Sequence, residues 1–391
     1  MNILFSFCNV INPYRGGTER VAHMISTFLK EQGNTIYYLC TEEQNSTYAP
    51  PPNTIFLPKL ESIASKAEYV KSLCLSKSID VVINEGGVTD DVYFLSKEFL
   101  PSSVKVITCL HFDITSDLKS FYSSYNYSFR GLSFAQCIQK TLQIIRLPYL
   151  KHYHTRRRVE RYRYAALNSD KVIVLSPACV RNYLNFTGVP DDGKVICIPN
   201  PNSFEVPDDI SFSEKENIIL YVGRVAFSQK KVHRILEFWR ELYSSHPDWK
   251  LQIVGDGDDL PRCKRLATKW KLPRVEFVGA TSNVQQYYRK ARILVLTSDF
   301  EGTPMVVPEA QAYGCVPVVY HSYAGASLHI KDGENGFLIP PFNTKAFVDR
   351  LSYLMSAIHL DFYTQQKYLT DFAIQKIGEK WINILNQVTS K

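Results

Sequence analysis

No run of this sequence approaches the ~18–20 consecutive apolar residues needed to cross a bilayer, which argues against a transmembrane helix. The amino terminus, Met1-Asn2-Ile3-Leu4-Phe5-Ser6-Phe7, lacks the basic leader and small-residue cleavage site of a signal peptide. It reads instead as a buried first strand. The nine cysteines are scattered singly, with no Cys-x-x-Cys pair. That argues against a disulfide framework or a structural zinc site and fits thiols kept reduced. The expected place of work is therefore the cytoplasm. Internal repeats and low-complexity tracts are lacking as well.

What is present suits a soluble globular protein. The 391 residues are enough for two domains with separate cores, and the 45% hydrophobic and 21% charged content is that of a globular protein. The net charge of +7 is unevenly placed. Lys140, Arg146, Lys151, Arg156, Arg157, Arg158, Arg161 and Arg163 crowd one stretch in which Glu160 is the only acid. Tyr149, Tyr153, Tyr162 and Tyr164 are interleaved with them or adjoin them. Such a stretch suits anionic lipid headgroups, lipid diphosphates or nucleic acid. The plainer reading is a solvated helix face with tyrosines packed beneath.

Short apolar runs alternate with amphipathic stretches along the chain. Ile3–Phe7, Thr35–Cys40, Val81–Asn84, Val104–Leu110, Lys171–Leu175 and Val195–Ile198 read as strands, and Arg20–Gln32 has helical spacing. After Pro199–Ser203 and the polar Pro207–Asn217, the best linker candidate, a second series begins. Its strands are Ile218–Val222, Lys250–Val254, Arg274–Val278, Ile293–Thr297 and Val316–Tyr320, with helical patterns at Val232–Ser244 and Val284–Ala291. Two doubly wound α/β domains facing across a cleft are expected, with ligands at the carboxyl ends of the strands. Ile374, Ile377, Trp381, Ile382 and Leu385 form a last helical stripe, which suits core packing.

Several segments could carry chemistry. Ser298–Pro304 reads as a turn leading to a helix near Met305, with unpaired amides at Met305, Val306 and Val307 suited to a diphosphate. Glu301 falls in that turn and Glu309 one turn into the helix. Carboxylates beside an anion more plausibly accept hydrogen bonds from sugar and ribose hydroxyls, or act simply as acids at a helix start. Tyr221-Val222-Gly223-Arg224, followed by Lys230 and Lys231, places cations at a strand end, which suits a leaving diphosphate whose charge needs neutralising, or simply exposes basic residues at a helix start. Gly16 and Gly17, in Gly16-Gly17-Thr18-Glu19-Arg20, let backbone amides approach a phosphate or an acceptor, or simply turn the chain into a helix. Asp256-Gly257-Asp258 reads as a turn, and His111 as a strand-end residue facing the cleft, although a lone histidine is more often structural.

Together these segments resemble the retaining GT-B glycosyltransferases of family 4. The resemblance is strongest from Ile218 to Pro340, through Val222-Gly223-Arg224, Val254-Gly255-Asp256-Gly257, Phe277-Val278-Gly279, Ser298–Glu309, Gly314–Val319 and Asp332–Leu338. Gly16–Arg20, Ser169–Ser176 and Ile198-Pro199-Asn200 extend it to the first half. It implies an acceptor-binding domain over 1–200, joined by a terminal helix over about 366–391, and a donor-binding domain over 201–365. It implies transfer of a hexose or N-acetylhexosamine, from a UDP-sugar in preference to a GDP-sugar, to a glycan or lipid-linked saccharide in bacterial surface polysaccharide, lipopolysaccharide or capsule assembly.

By that resemblance Arg224 and Lys230 bind the diphosphate, assisted by Met305 and Val306 with Gly302, Thr303 and Pro304, and Gly16 and Gly17 close over it. Glu301 and His111 contact the sugar, Glu309 the ribose, and Val278, Gly279 and Ala280 the base. His111, Arg224, Lys230 and Glu301 are the catalytic set, with no cofactor, metal or protein nucleophile. Lys231 and Pro201 stand where the family commonly has glycine, so altered contacts beside the diphosphate and a stiffer hinge are expected. The basic 140–164 stretch implies peripheral contact with the anionic inner face of the membrane, rather than nucleic acid. The competing readings are a GT-B sugar-nucleotide epimerase and, further off, a nucleic-acid-binding protein.

Overall fold

The computed structural model describes residues 1–13, 16–42, 48–115, 118, 121–122, 125, 129, 133–207, 210, 215–356 and 368–390. Parts of the expected linker, 208–209 and 211–214, and the division at 365/366 lie outside the described residues.

The first sheet contains β1 (Asn2–Phe7), β2 (Thr35–Cys40), β3 (Thr54–Phe56), β4 (Val81–Asn84), β5 (Lys105–Leu110), β6 (Lys171–Val174) and β7 (Val195–Cys197). All pair in parallel, in the order β3-β2-β1-β4-β5-β6-β7. The second contains β8 (Glu216–Val222), β9 (Lys250–Val254), β10 (Val275–Gly279), β11 (Ala291–Leu296), β12 (Val316–Tyr320) and β13 (Phe337–Ile339). Its order is β10-β9-β8-β11-β12-β13, again all parallel. Sheets covered by helices on both faces demand unbroken apolar strands, which is why Val81–Asn84 and Val316–Tyr320 are buried throughout.

Each sheet reverses its direction of growth once, at β1/β4 and at β8/β11. Crevices open outside the strand ends at such points. The loops that begin there carry Gly16 and Gly17, Glu85, Arg224 and Ser298–Pro304.

The chain passes between the domains twice, and the passages are tied where the Asn202 amide donates to the Phe372 carbonyl at 2.7 Å. The last helix, Ile374–Thr389, then buries Ile377, Trp381, Leu385 and Val388 among Ile3, Phe5, Val21 and Ile25 of the first domain. β3 and β13 were not anticipated; three residues at a sheet edge are too short for a readable pattern.

The basic stretch lies on one 35-residue helix, Phe134–Asn168, opened by a Ser133/Gln136 capping box. Tyr162 packs beneath it, with its carbonyl accepting from the Tyr183 hydroxyl, whereas Tyr149 and Tyr153 are exposed.

Gly378 marks the tightest contact of the last helix: a Cβ there would lie 2.2 Å from the Phe28 ring. Overpacking of this kind costs about 2 kcal/mol. Gly378→Val is expected to lower the urea midpoint with an unchanged m-value; an equal or higher midpoint would contradict this packing.

Candidate functional site

The second domain supplies a charged cluster at the ends of β8 and β11. Arg224 is exposed at the mouth of the cleft, and its guanidinium donates to Gln229 Oε1 at 3.0 Å. Gln229 in turn donates to the Phe300 carbonyl at 3.0 Å, linking the two loops. Lys230 Nζ lies 2.5 Å from Oε1 of the buried Glu301. The cation expected at the diphosphate and the carboxylate expected at the sugar thus form one ion pair.

A second, deeper cluster fixes that pair. Asp299 is buried, accepting from Arg234 at 2.6 Å and facing Lys231 Nζ at 3.3 Å, the latter a charge contact without an aligned hydrogen bond. The Asp299 amide donates to the Gln229 carbonyl and the Thr297 hydroxyl to that of Lys230, so the two loops are stitched together just ahead of Glu301. Lys231 has φ 51°, a left-handed conformation that glycine adopts without cost. The backbone at this position is glycine-like, and the lysine is accommodated through its contact with Asp299.

Glu309 lies in the short helix Val306–Ala312 and is 2% exposed. Its Oε1 accepts from Arg20 at 2.7 Å and Ser203 at 2.5 Å, and its Oε2 from the Tyr288 hydroxyl at 2.9 Å. Burial, reinforced by the Glu309 charge, pushes the Tyr288 phenol far above its ordinary pKa and keeps it a donor. The expectation of free amides through Val307 needs correction. The Val307 N–H donates to the Pro304 carbonyl at 3.2 Å, because the chain tightens to an i→i+3 turn as it enters the helix. The Met305 side chain is buried among Ile3 and Phe5 of the first domain, in contact range of Gly17 across the cleft.

The first domain brings His111 to the cleft at the end of β5. Its Nε2 lies 2.5 Å from Oε2 of the buried Glu85, while its Nδ1 is buried without a hydrogen-bond partner among the described residues. The His111 carbonyl packs directly on Gly302, where a Cβ would fall 1.9 Å from that oxygen. Only glycine permits this approach, and it sets His111 beside the Glu301 loop. Asn200 Nδ2 donating to the Thr303 hydroxyl (3.0 Å) and the Ala324 amide donating to Asp113 (3.3 Å) close the same junction.

Val278, Gly279 and Ala280 lie at the end of the edge strand β10, two strands from β8 and apart from the charged clusters. Gly16 adopts an ordinary extended conformation as the cap of the first helix, Gly17–Glu31. In the Asp256–Asp258 turn, the Asp256 carboxylate accepts from the Gly257 amide. Gln229, Asp299, Glu85, Ser203 and Tyr288 were missed by the sequence reading. Glu85 carries the clearest overlooked signal, a carboxylate placed just beyond a strand at the switch point.

Two parallel sheets facing across such a crevice, with charged groups at the strand ends, define the GT-B fold. Residues 203–363, in the second half of the chain, match the family model described as glycosyl transferases group 1. The chain is similar to the amylovoran biosynthesis glycosyltransferase AmsD of Erwinia amylovora, with 26% identity over 95% of this chain and 96% of that one. Among solved structures it resembles the lipopolysaccharide outer core galactosyltransferase WaaB in its apo form, with a TM-score of 0.69, 21% identity and 99% of each chain covered. It also resembles Anabaena Alr3699/HepE in complex with UDP and glucose, with a TM-score of 0.67, 15% identity and 99% and 100% of the chains covered.

Asp299→Ala leaves two cations facing each other without their shared counter-charge, and is expected to cost about 3 kcal/mol. Lys231→Gly should cost less, because it relieves roughly 1 kcal/mol of left-handed strain. Urea unfolding of both variants compares the two; equal losses would contradict the strain at Lys231.

Proposed function

We propose that this protein is a retaining glycosyltransferase that moves a hexose or N-acetylhexosamine from a nucleotide diphosphate sugar to a glycan acceptor, in the assembly of a bacterial surface polysaccharide. The observation that carries the reading is the Arg224–Gln229–Lys230–Glu301 cluster, formed by the loops after β8 and β11. Breaking a bond to a diphosphate leaving group concentrates negative charge on the phosphate oxygens, and Arg224 and Lys230 neutralise it there. Their fixed charge does the work that a divalent ion does in other transferases. Glu301 accepts from a hydroxyl of the transferred sugar, His111 faces the reacting side, and Glu309 reads the ribose. Retention follows from attack on the face the diphosphate leaves, with a phosphate oxygen taking the acceptor proton and no protein nucleophile.

UDP is the favoured nucleotide, in keeping with the ligand named for Alr3699/HepE, and surface polysaccharide assembly is in keeping with the names of AmsD and WaaB. The epimerase alternative is not favoured, since these similar proteins are named as transferases or as acting in polysaccharide assembly. Release of UDP only when an acceptor is added would separate the two activities. Glu309→Ala is expected to weaken UDP binding roughly tenfold in calorimetry. Arg224→Ala is expected to lower kcat by about two orders of magnitude. Full activity in both variants would overturn the assignment.

The proposal extends to where the enzyme works. Among the described residues no helix is long and apolar enough to cross a membrane. The helix Phe134–Asn168 nevertheless exposes Phe134, Ile138, Leu142, Ile145, Tyr149 and Tyr153 at three- and four-residue spacing, with Tyr149 69% exposed. Arg146, Arg156 and Arg157, on the same helix, are also exposed. An apolar stripe with cations on one helix suits the headgroup zone of an anionic bilayer. The chain is expected to sediment with phosphatidylglycerol vesicles and much less with phosphatidylcholine vesicles, and Ile145→Ser/Tyr149→Ser to release it. Equal sedimentation with both lipids, or none, would sink the docking.

A further inference from the structure

Three separate parts of the chain converge on Glu309. Arg20 comes from the first turn of the first helix, Ser203 from the segment passing between the domains, and Tyr288 from the helix Gln285–Lys290 of the second domain. Among the described residues, Oε1 accepts two of these bonds and Oε2 one. A carboxylate offers about four acceptor positions, so one remains, on Oε2. Arg20 is itself pinned, with its Nε donating to the Pro13 carbonyl and its amide to that of Gly16. It lies on the helical turn that begins at Gly17, which faces Met305 across the cleft.

We propose that Arg20 is a positioning residue for nucleotide recognition. By crossing the cleft to hold Oε1, it orients the free position of Oε2 toward one ribose hydroxyl, so that ribose is read only when both domains contribute. The inference rests on the reading of Glu309 as the ribose contact, and adds to it a residue of the opposite domain. An isolated Glu309 carboxylate is free to rotate about its terminal torsion, which is broad, and its two oxygens are then interchangeable. The guanidinium, itself anchored through Nε to Pro13, joins Ser203 on Oε1 while Tyr288 holds Oε2, so the oxygens have different partners and that freedom is removed. Ser203 adds the interdomain segment to the same carboxylate, so the spacing of the domains and the orientation of the acceptor are set together. A mere brace between domains would stabilise the fold but be indifferent to whether the nucleotide carries ribose hydroxyls.

That difference is the test. Calorimetry on the full chain compares UDP and GDP with their 2′,3′-dideoxy analogues, in the wild type and in Glu309→Gln, Arg20→Met and Arg20→Lys. The wild type is expected to prefer the ribonucleotide about tenfold, and Glu309→Gln to lose most of that preference. Arg20→Met is expected to lose it too, while its affinity for the dideoxy nucleotide changes less than about twofold. Arg20→Lys keeps the charge without the planar fork, and its preference is expected to fall at least about threefold; this variant decides the matter if Arg20→Met does not fold. A wild-type preference retained in the folded Arg20 variants overturns the inference and leaves the nucleotide-sugar reading standing. A wild-type chain that binds neither UDP nor GDP overturns that reading and this inference with it.

Discussion

The buried charge of Asp299 is the constraint on which the site depends. A carboxylate with almost no solvent access needs opposite charge at contact distance, and Lys231 and Arg234 are the residues that meet it. Both come from the segment that follows β8, whereas Asp299 follows β11. Satisfying one ion therefore clamps two loops that are remote in sequence. Lys230 and Glu301 flank this clamp, and their close pairing is its consequence. The left-handed backbone at Lys231 belongs to the same arrangement, since an extended residue there would turn the following helix away from the sheet.

The two halves of the molecule meet through backbone as much as through side chains. Gly302 allows the His111 carbonyl to rest against its α-carbon, and Gly325 in turn packs on the Gly302 carbonyl. Neither contact would survive a side chain at the glycine. Backbone approach at this distance is stiff, so the relative placement of His111 and Glu301 is set by steric exclusion and does not rely on long flexible side chains.

Much of the architecture was legible in the sequence, for a physical reason. Parallel strands buried on both faces must be apolar throughout, so Ile293–Leu296 and Val316–Tyr320 announce themselves, and Gly, Pro and Asn mark the breaks between them. The short edge strands Thr54–Phe56 and Phe337–Ile339 carry no such burden and left no pattern. At the site, Arg224, Glu301 and Glu309 stood out because they adjoin glycines and prolines that shape the loops, and Lys230 because it follows Arg224 by six residues. Their supports did not. Asp299, Gln229, Tyr288 and Glu85 are ordinary residues until folding brings them onto their partners, from up to 72 positions away in the case of Gln229 and Glu301. Nothing local in a sequence encodes that convergence. The amide of Val307 was misjudged for the opposite reason, since the tight turn at Pro304 was visible but its effect on the next free donor was not.

The paired passages between the domains carry a mechanical consequence. Asn202 and Phe372 lie side by side, bonded through their backbones, and Pro201 fixes one torsion in the first passage. Two adjacent cords resist torsion, because twisting one half against the other would shear the bond between them, yet both yield to bending about a shared line. The paired passages therefore act as a double tether that resists rotation of one half against the other.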